Sequence, residues 1–154
     1  MVFLLFAVGE GVFLGGGGTS ENSVGSRQSL RDMDMKQEAK RWMQHASNDL
    51  NTAKYLFRGR KYKEASFFCQ QCGEKALKAV TLTRKGEIRK IHDLVELGKE
   101  AHLPPELLED AKELTLSYIY ARYPDVVRVR NFKKISSKFI EVAGEILKWA
   151  RKQL

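Results

Sequence analysis

From Lys36 onward the apolar residues recur at steps of three and four, the spacing of one face of an α-helix. In the first segment Ala39, Trp42, Met43, Ala46, Leu50, Ala53 and Phe57 form one stripe, and Lys40, Gln44, Asn48 and Asn51 face away from it. Gly59 follows, a residue suited to the turn just past a helix end. A second stripe, over about Lys63 to Arg84, comprises Ala65, Phe68, Cys69, Cys72, Ala76, Ala79 and Val80; Glu74, Lys75 and Lys78 fall on its other side, and Gly86 ends it. A shorter helix starts near Asp93, which with Glu96 three residues on forms a capping-box-like pair. Leu94, Leu97 and Ala101 give it a modest apolar face.

Pro104-Pro105 resets the chain, proline being well placed in a helix's first turn. Leu107, Leu108, Ala111, Leu114 and Tyr118 carry the next stripe to about Ala121. Pro124 disfavours helix at Tyr123, so this helix is expected to end near Arg122. The last runs from about Lys133 to Gln153, with Ile135, Phe139, Val142, Ile146 and Trp149 inward. Each stripe must be covered, and short connectors favour antiparallel neighbours. The pattern predicts an all-α fold: an up-and-down bundle of four long helices plus one short helix.

Residues 1–35 read differently. Val2–Val8 is a short apolar run, Gly15–Gly18 a glycine tract, and Thr19–Ser29 is polar without periodicity. The apolar run is too short to span a bilayer and lacks the basic start of a signal peptide, since no Lys or Arg precedes Arg27. Gly11 to Ser20 is glycine-rich in the manner of a phosphate-binding loop, but Gly17 and Gly18 stand where such a loop needs its lysine. Residues 1–35 are therefore expected to be a flexible extension, disordered or artefactual, with Met33 or Met35 as the true start, and residues 36–154 to be the folded domain.

Composition adds to this reading in three ways. The chain of 154 residues is 43% hydrophobic and 10% aromatic, enough for one core without metal or disulfide staples. Cys69 and Cys72 are its only cysteines, a usage that suits a reducing cytoplasm. The formal net charge is +8; residues 1–35 hold two basic residues (Arg27, Arg31) and four acidic ones (Glu10, Glu21, Asp32, Asp34), so 36–154 carries +10. A field of that sign favours RNA, a nucleotide or an acidic protein surface as partner and does not choose among them.

Three stretches together resemble the HEPN domain family. Ala65-Ser66-Phe67-Phe68-Cys69-Gln70-Gln71-Cys72-Gly73-Glu74-Lys75-Ala76-Leu77-Lys78-Ala79 is similar to the family's aromatic, Gln-Gln, Glu-Lys-Ala-Leu-Lys-Ala helix. Ile91-His92-Asp93-Leu94-Val95-Glu96-Leu97 resembles its His-x-Leu-x-x-Leu element, and Tyr120-Ala121-Arg122-Tyr123-Pro124-Asp125 its Ala-Arg-Tyr-Pro-Asp signature. The resemblance implies a helical bundle that pairs as a homodimer, frequently beside a minimal nucleotidyltransferase in a toxin–antitoxin-like pair. Some members cut RNA without a metal, using an Arg and a His four to six residues apart together with their copies across the dimer. Here the window after Arg122 holds Val127, Arg128 and Val129, and the only histidines, His45, His92 and His102, all lie upstream. The family's acid–base imidazole is missing from its place.

The candidate residues each carry a functional and a structural reading. Arg122 would grip a phosphate and Tyr123 stack on a base, with Asp125 beside them; structurally, Arg122 would pair with a carboxylate such as Glu74 and Tyr123 would pack. Glu74, Lys75 and Lys78 are spaced as ordinary solvent-exposed ion pairs, and the resemblance raises them as site residues. His92 is a general base, a nucleotide contact, or a residue that fixes the loop. Arg41 and His45 share a helix face at ordinary spacing. Cys69-x-x-Cys72 lacks two further zinc ligands and lies mid-helix on an apolar stripe, so both are read as core residues, and no metal or cofactor is expected. Arg128, Arg130, Lys133, Lys134 and Lys138 form the strongest basic run, next to Arg122.

The resulting expectation is a cytoplasmic, dimeric nucleotide- or RNA-binding module, partnered with a minimal nucleotidyltransferase and not inserted in a membrane. Its nucleotide- or RNA-binding residues are Arg122, Tyr123, Asp125, Glu74, Lys75, Lys78, Arg128 and Arg130. The alternatives are a metal-independent ribonuclease that replaces the missing histidine, with Arg122 and His92 as catalytic candidates, and a purely structural scaffold.

Overall fold

In the computed structural model, residues 21–123 and 131–154 are described, and all regular structure among them is helical: α1 (Glu21–Arg58), α2 (Tyr62–Lys85), α3 (Leu94–Glu100), α4 (Pro105–Arg122) and α5 (Phe132–Arg151). Contacts along the chain fix the directions. Arg84 on α2 meets His102 and Gln153, Cys72 faces Ala143, and Ser117 on α4 reaches back to Ser66. Hence α4 runs opposite to α2 and α5 runs alongside it, while a three-residue connector turns α1 back against α2. The four long helices alternate up and down, as the stripes predict.

The stripes become the core. Ala39, Met43, Ala46, Leu50 and Ala53 of α1 are buried with Cys69, Cys72, Ala76, Ala79 and Val80 of α2 and Phe139, Val142 and Ile146 of α5. Trp42, Phe68, Ile135 and Trp149 sit half-buried at its edges. Helix α2 lies against every other helix. That position has a consequence missed by the periodicity: even the polar side of α2 is covered, so Gln70, Glu74 and Lys78 are buried along with its apolar residues.

The helix ends follow local chemistry. Gly86 closes α2 in the left-handed conformation, at φ 74°. At the end of α1 the left-handed residue is not Gly59 but Arg60, at φ 61°. There Lys61 N–H donates to the Leu56 carbonyl at 2.9 Å and Arg60 N–H to that of Phe57 at 3.0 Å, a Schellman-type closure. The Asp93 side chain caps α3 by accepting from the amides of Val95 (2.7 Å) and Glu96 (3.2 Å). Pro105 occupies the first turn of α4.

Helix α1 starts at Glu21, upstream of the first stripe. Leu30 and Met33 are exposed, and among the residues whose burial is described the first buried one is Ala39. Met35 nevertheless lies beside Gly86, and Asp32, Met35 and Lys36 line a cleft with Thr83, so this part of α1 runs along the end of α2. Among the described residues no helix is long and apolar enough to cross a membrane.

Candidate functional site

Gln70, Glu74 and Lys78 follow one another at four-residue steps on α2, which places them in a single row. Glu74 and Lys78 are each only 5% exposed. A buried carboxylate is tolerated when opposite charge and donors satisfy it, and Glu74 has both. Its Oε1 accepts from Lys78 Nζ at 2.8 Å and its Oε2 from Gln70 Nε2 at 3.2 Å. His92 Nδ1 lies 3.1 Å from both oxygens. These are not the solvent-exposed ion pairs that spacing alone suggests.

The loop after Gly86 folds back along α2 to bring His92 there. Gln70 Nε2 holds it by donating to the His92 main-chain carbonyl at 3.1 Å, while Gln71 Nε2 donates to Gln70 Oε1 at 2.8 Å. The His92 side chain stays 61% exposed and stacks on Tyr118 of α4, ring centroids 6.0 Å apart and planes 9° from parallel. Tyr118 stacks in turn on Phe67. Nδ1 is the ring nitrogen engaged by Glu74, so Nε2 is the one left for a ligand. The loop-fixing role of His92 and its availability to a ligand are therefore compatible: the main chain fixes the loop and the ring remains accessible.

On the other side of the row, Lys78 Nζ lies 5.8 Å from the centroid of the Trp42 ring, a cation–π distance. Lys75 forms an ion pair with Asp49 of α1. An open groove of about 370 Å³ lies here, lined by Glu38, Arg41, Trp42, His45 and Lys75.

The far end of α4 carries the remaining candidates. Arg122 is its last residue, and Tyr123 follows, 56% exposed. Leu116, Ile119 and Tyr123 form an exposed apolar stripe. The Arg122 side chain, Asp125, Arg128 and Arg130 lie outside the described residues. Lys133 and Lys134 are exposed at the start of α5, whereas Lys138 pairs with Glu113 at 2.6 Å and with Asp110 at 3.9 Å. The hydrogen bond to Glu113 raises the Lys138 pKa, keeping it charged but already paired. The basic run is thus weaker at Lys138 than its letters suggest.

Cys69 and Cys72 are buried free thiols. Burial, followed by the neighbouring Cys72, pushes the Cys69 pKa up. Burial and then Asp49 push Cys72 up to about 12, and its Sγ faces the Ala143 carbonyl at 3.8 Å. Among the described residues no group of His, Cys, Asp and Glu could hold a metal ion.

The structure thus joins Glu74, Lys78 and His92 in one cluster and gives Lys75 to a neighbouring groove. Gln70 completes it together with Trp42 and Tyr118, which periodicity marks as members of apolar stripes and not as site residues. The four-residue step from Gln70 to Glu74 to Lys78 was the available signal.

The HEPN domain family model matches residues 39–153. Comparison with curated proteins gives no match. Among solved structures, TT1696 from Thermus thermophilus is similar at a TM-score of 0.68 and 28% identity, covering 75% of this chain and 98% of that one. ST0689, an archaeal HEPN homologue, is similar at a TM-score of 0.63 and 31% identity, covering 75% of this chain and 96% of its own.

Proposed function

The chain belongs to the HEPN domain family, and from that premise we propose that it is a non-cutting, homodimeric module that binds RNA or a nucleotide and works beside a minimal nucleotidyltransferase in a toxin–antitoxin-like pair. The observation that carries the reading is the exposed His92 ring, stacked on Tyr118 and anchored through Glu74 to the buried row on α2. An accessible aromatic surface held from beneath can receive a base by stacking. Tyr123 continues that aromatic character at the end of α4, where Arg122 would supply a phosphate contact. Lys133 and Lys134 add positive charge at the start of α5. Leu116 and Ile119, exposed apolar residues one turn apart on α4, are the surface on which a second copy would close.

The chain has no histidine after His102, so a catalytic pair with Arg122 in the family's manner has no imidazole in its place. One observation favours the ribonuclease alternative: His92 sits against a carboxylate in the way a general base is oriented. Incubation of the purified full chain with RNA separates the two. Retention that falls steeply with salt, leaves the RNA intact and is lost in Tyr123→Ala supports the binding module. Cleavage that disappears in His92→Ala replaces it with the enzyme. Light scattering of the same samples, with Leu116→Glu as the variant expected to give monomers, tests the dimer.

A further inference from the structure

His45, His92 and His102 are the histidines of the chain, and all three are exposed to solvent. What distinguishes them is how their ring nitrogens are engaged. At His92, Nδ1 lies 3.1 Å from both oxygens of Glu74. A carboxylate only accepts, so in the neutral ring this contact holds the proton on Nδ1 and leaves the lone pair on Nε2. At His102, Arg84 Nη1 stands 2.6 Å from Nδ1. A guanidinium only donates, so there Nδ1 gives its lone pair to Arg84 and Nε2 carries the proton. The His45 ring has no hydrogen-bond partner among the described residues.

We propose that His92 is a modification site whose Nε2 accepts a phosphoryl group from a donor of the phosphoramidate class. An imidazole serves as a nucleophile when a neighbouring group orients it, and His92 is oriented from three directions. Gln70 holds its main-chain carbonyl at 3.1 Å, Glu74 engages Nδ1, and Tyr118 stacks on the ring. The side chain is still 61% exposed, which leaves room for a donor to approach Nε2. In the step, the Nε2 lone pair forms the new bond to phosphorus while the P–N bond of the protonated donor breaks. The donor nitrogen leaves as ammonia with that electron pair. The ring keeps its Nδ1 proton and becomes a positively charged phosphoimidazole, with the charge facing the Glu74 carboxylate. Glu74 is almost fully buried, so water screens that attraction little. The new phosphoryl group adds negative charge to the face assigned above to RNA and opposes binding there. That consequence rests on the binding reading, whereas the modification itself does not.

The purified full-length protein is incubated with potassium phosphoramidate at neutral pH. Peptide mass spectrometry locates the adducts and phosphorus NMR identifies the ring nitrogen. The expected result is an acid-labile adduct on Nε2 of His92, formed about tenfold faster than on His45 or His102, the worth of one charge-assisted contact. In urea the three rates are expected to converge, because the lead belongs to the folded arrangement. Glu74→Gln combined with Lys78→Met removes the carboxylate charge without stranding the ammonium, and should bring His92 down to the rate of His45; circular dichroism checks that the helices remain. The proposal is overturned if His92 reacts no faster than the other two, if the phosphoryl group sits on Nδ1, or if the lead of His92 survives in urea. The comparison within the parent protein needs no variant, so it decides even if the double variant fails to fold. Phosphorylation is read without RNA and RNA retention without phosphoramidate, so either reading can fail without the other.

Discussion

Lys78 and Glu74 form an ion pair one helical turn apart, at 2.8 Å, with each side chain only 7% exposed. The pair joins two surfaces, because Trp42 approaches the ammonium and His92 the carboxylate. Its burial follows from the central position of α2 in the bundle.

Removing one partner strands the other. Glu74→Ala leaves the Lys78 ammonium covered without its counter-charge and is expected to lower stability by about 3–5 kcal/mol. The double variant Glu74→Leu with Lys78→Met removes both charges and should recover most of that loss, since apolar replacements of buried pairs are often neutral or stabilising. Urea unfolding of the three proteins measures this. A double variant no more stable than Glu74→Ala would show that the pair's worth lies elsewhere.

The two thiols should be silent in the folded protein. Burial raises both above the ordinary cysteine value of about 8.5, and the thiolate is the reactive form. At mildly alkaline pH a thiol reagent should modify neither Cys69 nor Cys72 until denaturant is added, when both react. Mass spectrometry of the labelled protein counts the sites.

Arg60 holds a backbone conformation that costs an L-residue with a side chain roughly 1–2 kcal/mol. Arg60→Gly should relieve this and raise stability by roughly 0.5–1 kcal/mol after the added freedom of the unfolded chain is counted. Gly59 directly follows the last residue of α1 and lacks a positive φ, so Gly59→Ala should show no comparable strain. Thermal melts of both compare them.

Glu100 at the end of α3 has its carboxyl pKa lowered, chiefly by the hydrogen bond from Arg89, while Arg89 is raised in return. A carboxylate with a depressed folded pKa contributes stability above its unfolded value and loses that contribution as pH falls through the folded one. Arg89→Ala should therefore be slightly less stable than the parent at neutral pH. The difference should shrink as pH drops below the ordinary glutamate range and through Glu100's lowered value. Arg89 is exposed to solvent, so the effect is small; urea midpoints across acid pH measure it.

How much of this was legible in the sequence depends on which force acts at each place. Ala39 to Ala53 and Ile135 to Ile146 declared their helices through spacing, because burial of one face is a local periodic signal. Asp93, Gly86 and Pro105 declared the boundaries, because caps depend on near neighbours. The burial of Glu74 and Lys78 is not contained in their spacing, because whether a polar face is covered depends on how many helices surround it. Arg60 replaced Gly59 as the left-handed residue because the closure is set by where the chain must turn toward α2. The meeting of His92 with Glu74, and of Trp42 with Lys78, arises from separate helices and a returning loop. The family resemblance drew attention to Glu74 and His92, but their contact emerges only when the bundle closes.

Because α2 borders each of the other helices, it acts as the axle of the molecule: its withdrawal uncovers a face of every one of them at once. Melting should then be all-or-none, and probes at opposite flanks, Trp42 on α1 and Trp149 on α5, should report one common midpoint in denaturant.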